Sequence, residues 1–288
     1  IDDKAEWMLF TQGSNYPMLE ELARPEYRIA GLRLNPANFA PSRQNFITDL
    51  YLKNIKSAVI SKISGLPNPL FAGSVSWSPD NKKIAFTQTV AGRVDLYVVN
   101  VADKKATKIN TTALNTITGG YSWVDNNSII YRGIVKPASA APAKPSTATG
   151  PTVQENYGKA SPRPTYQDMI KNPYDESLFE FFATTQLIKN TNGVEKKIGK
   201  PAIYQSVSVS PDKNYLLQEV TRKPFSYLVP SRGFASDVFI TDANGVLVKQ
   251  LFKLPGSETA PSGYDNIQNL PRSFEWRDDV AATLVWAE

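Results

Sequence analysis

The side chains that could do chemistry here are acid pairs, turn aspartates, serines and one basic, aromatic loop. Paired acids stand at Asp2-Asp3, Glu20-Glu21 and Asp278-Asp279. Two carboxylates facing each other across a pocket would suit glycoside hydrolysis. Neighbours on a strand point to opposite faces, so these pairs read instead as exposed turn charges. Asp80 and Asp212 each follow a Ser-Pro. A calcium site would need about six or more converging oxygens, so capping the backbone N–H groups of a turn is the role expected of them. Serines have no histidine to activate them: the chain has no His and no Cys. Ser-His-Asp and Cys-His catalysis are therefore excluded within it, as are the usual zinc sites. No Gly-x-Ser-x-Gly occurs, since Gly256-Ser257 and Ser262-Gly263 lack the spacing. Catalytic, metal and cofactor residues are accordingly expected to be absent. Arg222, Lys223, Phe225, Tyr227 and Arg232 follow a predicted strand, and an Arg in such a loop can grip a carboxylate bidentately.

The formal charge of +5 comes from 32 basic and 27 acidic residues of alternating sign. Lys82-Lys83, Lys104-Lys105 and Lys196-Lys197 lie beside predicted turns. Nucleic-acid binding needs a clustered basic stripe, and none is present, although a mild preference for acidic ligands fits the charge. No apolar run approaches the roughly 18 residues of a membrane span. The absence of Cys fits an oxidising compartment, periplasmic or secreted. The sequence opens at Ile1 rather than Met, as after removal of a leader or trimming.

The elements that must position these residues are strands. Lys83-Ile84-Ala85-Phe86-Thr87, Asp95-Leu96-Tyr97-Val98-Val99 and Asp237-Val238-Phe239-Ile240 are short apolar, β-branched runs bounded by turn formers. Helical patterns are scarce, the best being Met18 to Leu22 and Thr165 to Ile170. A hairpin unit recurs: Ser76-Trp77-Ser78-Pro79-Asp80-Asn81, Ser208-Val209-Ser210-Pro211-Asp212-Lys213, and the degenerate Ser122-Trp123-Val124-Asp125-Asn126 and Glu275-Trp276-Arg277-Asp278-Asp279, each followed by an apolar strand. Pro presets φ for the turn and Asp accepts from its N–H groups. Two further strands after the first unit, from Leu96 and Ala106, make four in about 40 residues, the size of one propeller blade. The recurring Trp77, Trp123 and Trp276 read as blade packing. The units are unevenly spaced, so insertions are expected between blades.

The largest insertion, about 136–164, carries Pro137, Pro142, Pro145, Pro151, Pro162 and Pro164 among Ala, Ser and Thr. Such a composition cannot bury a core and predicts a long loop. The fold class expected is all-β: one β-propeller region over 1–288, with four-stranded antiparallel blades, roughly five blades or part-blades, and an incomplete or irregular ring.

Several strings resemble the prolyl oligopeptidase family, and within it the glutamyl endopeptidase branch. They are Gly31-Leu32-Arg33-Leu34-Asn35-Pro36 with Ser42-Arg43; Gly65-Leu66-Pro67; Gly150-Pro151 and Gln154-Glu155; Pro164-Thr165-Tyr166-Gln167-Asp168; Asp175-Glu176-Ser177-Leu178-Phe179-Glu180 with Thr185-Gln186-Leu187; Lys223-Pro224-Phe225-Ser226-Tyr227-Leu228-Val229-Pro230; and Pro271-Arg272-Ser273-Phe274-Glu275-Trp276. The resemblance covers nearly the whole chain. It departs after Val229-Pro230, where the branch has Arg-Phe-Pro and this chain reads Ser231-Arg232-Gly233-Phe234-Ala235.

The resemblance implies a serine peptidase that hydrolyses peptides and joins an N-terminal propeller to a C-terminal α/β-hydrolase domain. This chain would be the propeller alone, inactive by itself, gating and orienting substrate for the hydrolase partner. Arg222, Phe225, Tyr227 and Arg232 would then face that partner and the peptide. Two rivals are a stand-alone periplasmic protein-binding propeller, similar to TolB, and a propeller enzyme acting on glycans.

Overall fold

A computed structural model describes residues 1–146, 166–259 and 269–288. They divide into two compact units: one built from 1–26, 34–138 and 185–200, the other from 27–33, 139–184 and 201–288.

In the first unit, the strands Ala72–Trp77, Lys83–Val90, Arg93–Asn100 and Lys105–Lys108 pair antiparallel in chain order, as one end of a seven-stranded sheet. The other end pairs Trp7–Gly13 with Ile47–Asn54, joined to the blade by the single match Ile47↔Ala72. A second four-stranded sheet runs Tyr121–Trp123, Ser128–Ile134, Thr185–Thr191, Val194–Ala202. The core beneath the first sheet holds Leu50, Leu52, Ile84 and Phe86, none of them exposed; each such side chain contributes about 1.5–3 kcal/mol on burial.

The second unit holds the blade Tyr204–Val209, Tyr215–Thr221, Ser236–Asp242, Leu247–Leu254, again in chain order. It also holds the hairpin of Arg272–Trp276 with Leu284–Ala287. Repeated four-stranded antiparallel sheets of sequential strands are the blades of a β-propeller, the class the hairpin repeats predict.

The two Ser-Pro-Asp turns are built alike. Ser78 Oγ donates to Asp80 Oδ1 at 2.8 Å, and the N–H groups of Lys82 and Lys83 donate to Asp80 and Ser78. Ser210 Oγ donates to Asp212 Oδ1 at 2.5 Å, with Asn214 and Tyr215 taking the corresponding places. Asn81 and Lys213 carry the positive φ that tightens each turn (60° and 67°). Burial opposes ionisation of Asp80, yet the Ser78 hydroxyl and the Lys82 N–H outweigh it and hold the carboxyl below its usual range. The Ser210 hydroxyl and the Asn214 N–H do the same for Asp212.

Three expectations are corrected. The long insertion does not separate blades: it falls inside one, between the second strand Ser128–Ile134 and the third, Thr185–Thr191. Residues 166–170 form no helix, and Asp168 has φ +60°, which right-handed helix cannot accommodate; Thr165 and most of the Pro-rich loop lie outside the described residues. The candidate Met18 to Leu22 forms the single turn α1 (Leu19–Leu22), and the longer helix begins instead at Pro173. This helix, α2 (Pro173–Ala183), is started by Asn172, whose side chain accepts from the Asp175 N–H at 2.9 Å, with Pro at the first turn and Asp175 and Glu176 facing the helix's positive end. Finally, the acid pairs are not all surface charge. Asp2 is buried and caps the N–H groups of Glu6 and Trp7 at 2.8 and 2.9 Å, and Glu21 is only 3% exposed.

Candidate functional site

In the second unit a cavity of about 340 Å³ opens between its blade and the hairpin that follows. Register explains the polar wall. Ser206 stands opposite Glu219 on neighbouring strands, and Ser236, opposite Thr221, donates its hydroxyl to Glu219 Oε1 at 2.7 Å. Arg232 comes from the short 3-10 turn Ser231–Gly233 between the second and third strands of the blade. Arg272 comes from the first strand of the hairpin. Phe234 and Phe274 supply apolar wall.

The turn bearing Arg232 is fixed by backbone bonds. Ser231 N–H donates to Ala30 O, and Gly233 N–H to Pro230 O, both at 2.8 Å. Gly31, at φ +75°, lies beneath it: a Cβ there would stand 2.5 Å from Pro230 Cβ. Gly233 likewise leaves room for Ser257, whose Oγ would be 2.3 Å from an added Cβ. Arg232 is exposed and makes no ion pair or hydrogen bond with any described residue. Among the described residues, the cavity lining carries two arginines, Arg232 and Arg272, and one carboxylate, Glu219. It can hold a carboxylate in a bidentate grip. It cannot activate a nucleophile by the Ser-His route, because the chain has no His.

The four residues singled out by sequence separate here. Arg232 lines the cavity. Arg222 lies behind its wall, with Nη1 3.2 Å from Asp237 Oδ1 and Nη2 donating to Leu254 O at 3.2 Å. Phe225, 6% exposed, stacks on Phe234 at 5.6 Å and meets Phe179 of α2 edge-on at 4.9 Å. It braces the wall rather than lining it. Tyr227 lies off the cavity against α2, where burial, together with the nearby Glu176 carboxylate, pushes its phenol above the usual value. Lys223 pairs with Glu180 at 2.7 Å. Sequence reasoning missed Ser206, Glu219, Ser236 and Arg272 as lining residues. The one signal available was Arg272 in the resemblance string around Trp276.

The recurring tryptophans do pack blades. Trp123 Nε1 donates to Ser76 Oγ of the preceding blade at 3.1 Å, and Trp276 Nε1 to Ser208 O of its own preceding blade at 3.4 Å.

No family model matches the chain. Among curated proteins it is 30% identical over 296 residues to "Probable glutamyl endopeptidase, chloroplastic" of Oryza sativa subsp. japonica, covering 98% of this chain and 32% of that protein. It is 32% identical over 295 residues to the protein of the same description from Arabidopsis thaliana, covering 98% and 31%. Among solved structures, the Pyrococcus horikoshii acylaminoacyl peptidase matches at TM-score 0.43 and 13% identity over 86% of this chain and 31% of its own. Among the described residues, no helix is long and apolar enough to cross a membrane. Over nearly its whole length the chain is similar to proteins described as probable glutamyl endopeptidases, and it spans about a third of the length of these curated relatives.

Proposed function

We propose that this chain is the substrate-sorting propeller of a serine peptidase acting on peptides, with hydrolysis performed by an α/β-hydrolase domain with which it pairs. One observation supports this most: a chain related along 98% of its length to proteins named glutamyl endopeptidases contains no histidine. Its contribution to peptide hydrolysis is therefore recognition. The Arg232 cavity is the surface suited to that task, because a guanidinium without an ion-pair partner among the described residues, set beside hydroxyls, favours an acidic side chain. Arg222 and Phe225 hold the wall, and Tyr227 lies away from it against α2. The cysteine-free sequence fits a periplasmic or secreted setting, and the chloroplastic relatives point to an organelle as the other candidate.

The test uses the complete peptidase and matched quenched peptides with Glu or Gln at the cleaved position. Arg232→Gln is expected to lower kcat/KM on the Glu peptide by about tenfold or more and leave the Gln peptide unchanged. The 288-residue chain alone is expected to cleave neither. Equal loss on both peptides, or hydrolysis by the isolated chain, would overturn the reading.

A further inference from the structure

The acid pair Glu20-Glu21 reads as surface charge, yet one member is buried. The single helical turn α1 (Leu19–Leu22) is closed by Leu22 N–H and Ala23 N–H donating to Met18 O and Leu19 O at 3.1 and 3.0 Å. That turn leaves Leu19 and Leu22 78% and 47% exposed and carries the Glu21 carboxylate inward. A buried carboxylate is costly unless donors surround it. Glu21 Oε2 accepts no hydrogen bond from any described residue. Arg24 Nη1 lies 2.9 Å from it as an ion pair, out of alignment to donate.

Glu21 lines a cavity of about 320 Å³ in the first unit, together with Met18, Phe46, Phe71 and Thr89. The two rings stand 5.5 Å apart, tilted by 54°. Their wall is braced from behind: Gln88, 2% exposed, accepts from Phe71 N–H at 2.8 Å and donates to Pro69 O at 3.1 Å, while Thr89 N–H donates to Phe71 O. Two aromatic rings and a thioether thus line the same cavity as an under-donated carboxylate. An aliphatic stem ending in a cation matches all of these: the rings take the stem and attract the charge, and an ammonium brings three donors to the carboxylate.

We propose that this cavity binds a primary alkylammonium group, as carried by a lysine side chain or by the amino terminus of a peptide, with Glu21 as counter-ion and Phe46 and Phe71 as walls. Arg24 is then its competitor, holding the empty carboxylate from the rim.

The chain has three methionines, so methyl-13C-methionine labelling gives a short spectrum in which Met18→Leu identifies the reporting signal. On titration with n-pentylammonium, the Met18 methyl is expected to shift saturably, and 1-pentanol, the neutral counterpart, is expected to leave it in place. Glu21→Gln should weaken binding about tenfold or more. Phe71→Leu should weaken it about threefold. Arg24→Gln should tighten binding, because it removes the competing cation, an outcome that a merely structural ion pair would not give. Acetyl-lysine methylamide and unblocked leucine methylamide separate the two sources: whichever shifts Met18 names the group. If Glu21→Gln does not fold, the Arg24 and Phe71 variants carry the test. An equal response to pentanol, no response to pentylammonium, silence from both peptides, or weaker binding in Arg24→Gln would each overturn the proposal.

Discussion

Trp123 reaches back to Ser76 across the seam between two blades, its indole N–H 3.1 Å from the serine oxygen. The same oxygen lies 2.9 Å from the Tyr121 hydroxyl, which also donates to Ala85 O at 2.7 Å. One serine thus gathers the first strand of the following blade. Trp123→Phe keeps the ring's packing and loses the donor, so it is expected to cost about 1 kcal/mol. Ser76→Ala should cost more. The double variant should fall short of the sum, because both changes act on one network. Urea unfolding of the three variants measures this.

Acid is expected to unfold the chain through its turns. Asp80, Asp212 and Asp242 all have carboxyl groups held below the ordinary 3.8. For Asp242 the leading donor is the Val246 N–H. Groups depressed in the folded chain bind protons more tightly once it unfolds. Their contribution is therefore complete above about pH 5 and is lost as pH falls through the folded values. Thermal melts between pH 2 and 6 should show stability declining as pH falls below about 5, and Asp212→Asn should flatten that decline.

Glu195 ties three segments of the first unit together. Its carboxylate accepts from Thr111 N–H at 2.6 Å and from the hydroxyls of Thr111, Thr112 and Tyr131 at 2.7, 2.8 and 2.7 Å. Burial pulls the carboxyl upward, but these donors outweigh it and hold it below the usual range. Glu195→Ala leaves Tyr131 O–H without its acidic acceptor and is expected to cost about 2 kcal/mol. Tyr131 and Tyr121 have phenols raised far above 10, by burial foremost. Raised phenols stabilise the fold below pH 10, and that contribution fades as pH climbs further. In alkaline ultraviolet titration these two should ionise only together with unfolding. Their ionisation in the folded chain near pH 10 would contradict this.

Gly31→Ala is expected to damage both stability and recognition. The position combines a left-handed φ with a 2.5 Å approach to Pro230, and the strain and overlap together should cost about 2 kcal/mol. Because Ser231 is bonded to Ala30 next door, the turn carrying Arg232 moves as well. In the complete peptidase, discrimination between Glu and Gln peptides should fall more than overall turnover of the Gln peptide.

The sequence disclosed what short segments decide by themselves. Pro79-Asp80 and Pro211-Asp212 fix their turns within a few residues, so strand order around them could be read directly. Asn172-Pro173 with Asp175 was an equally local start signal for α2, hidden by the proline-rich stretch before it. The Arg232 cavity could not be read that way. Ser206, Glu219, Ser236 and Arg272 meet only because strand register brings distant positions to one wall, and Phe225 was drawn inward by partners, Phe179 and Phe234, that no spacing links to it. Glu21 misled for a related reason: its identity suggests water, and only the direction of a one-turn helix sends it inside.

The pairing of Ser128–Ile134 with Thr185–Thr191 holds across seven matched positions, although residues 135–184 lie between them. A tight hairpin can zip as soon as its two arms exist, but these arms must first close a long loop. Closure entropy grows only logarithmically, about 0.6 kcal/mol for each doubling of length. The blade is thus slow to nucleate yet nearly indifferent to how long its excursion becomes. Lengthening or shortening the excursion at this seam is therefore expected to leave the paired strands on either side in place.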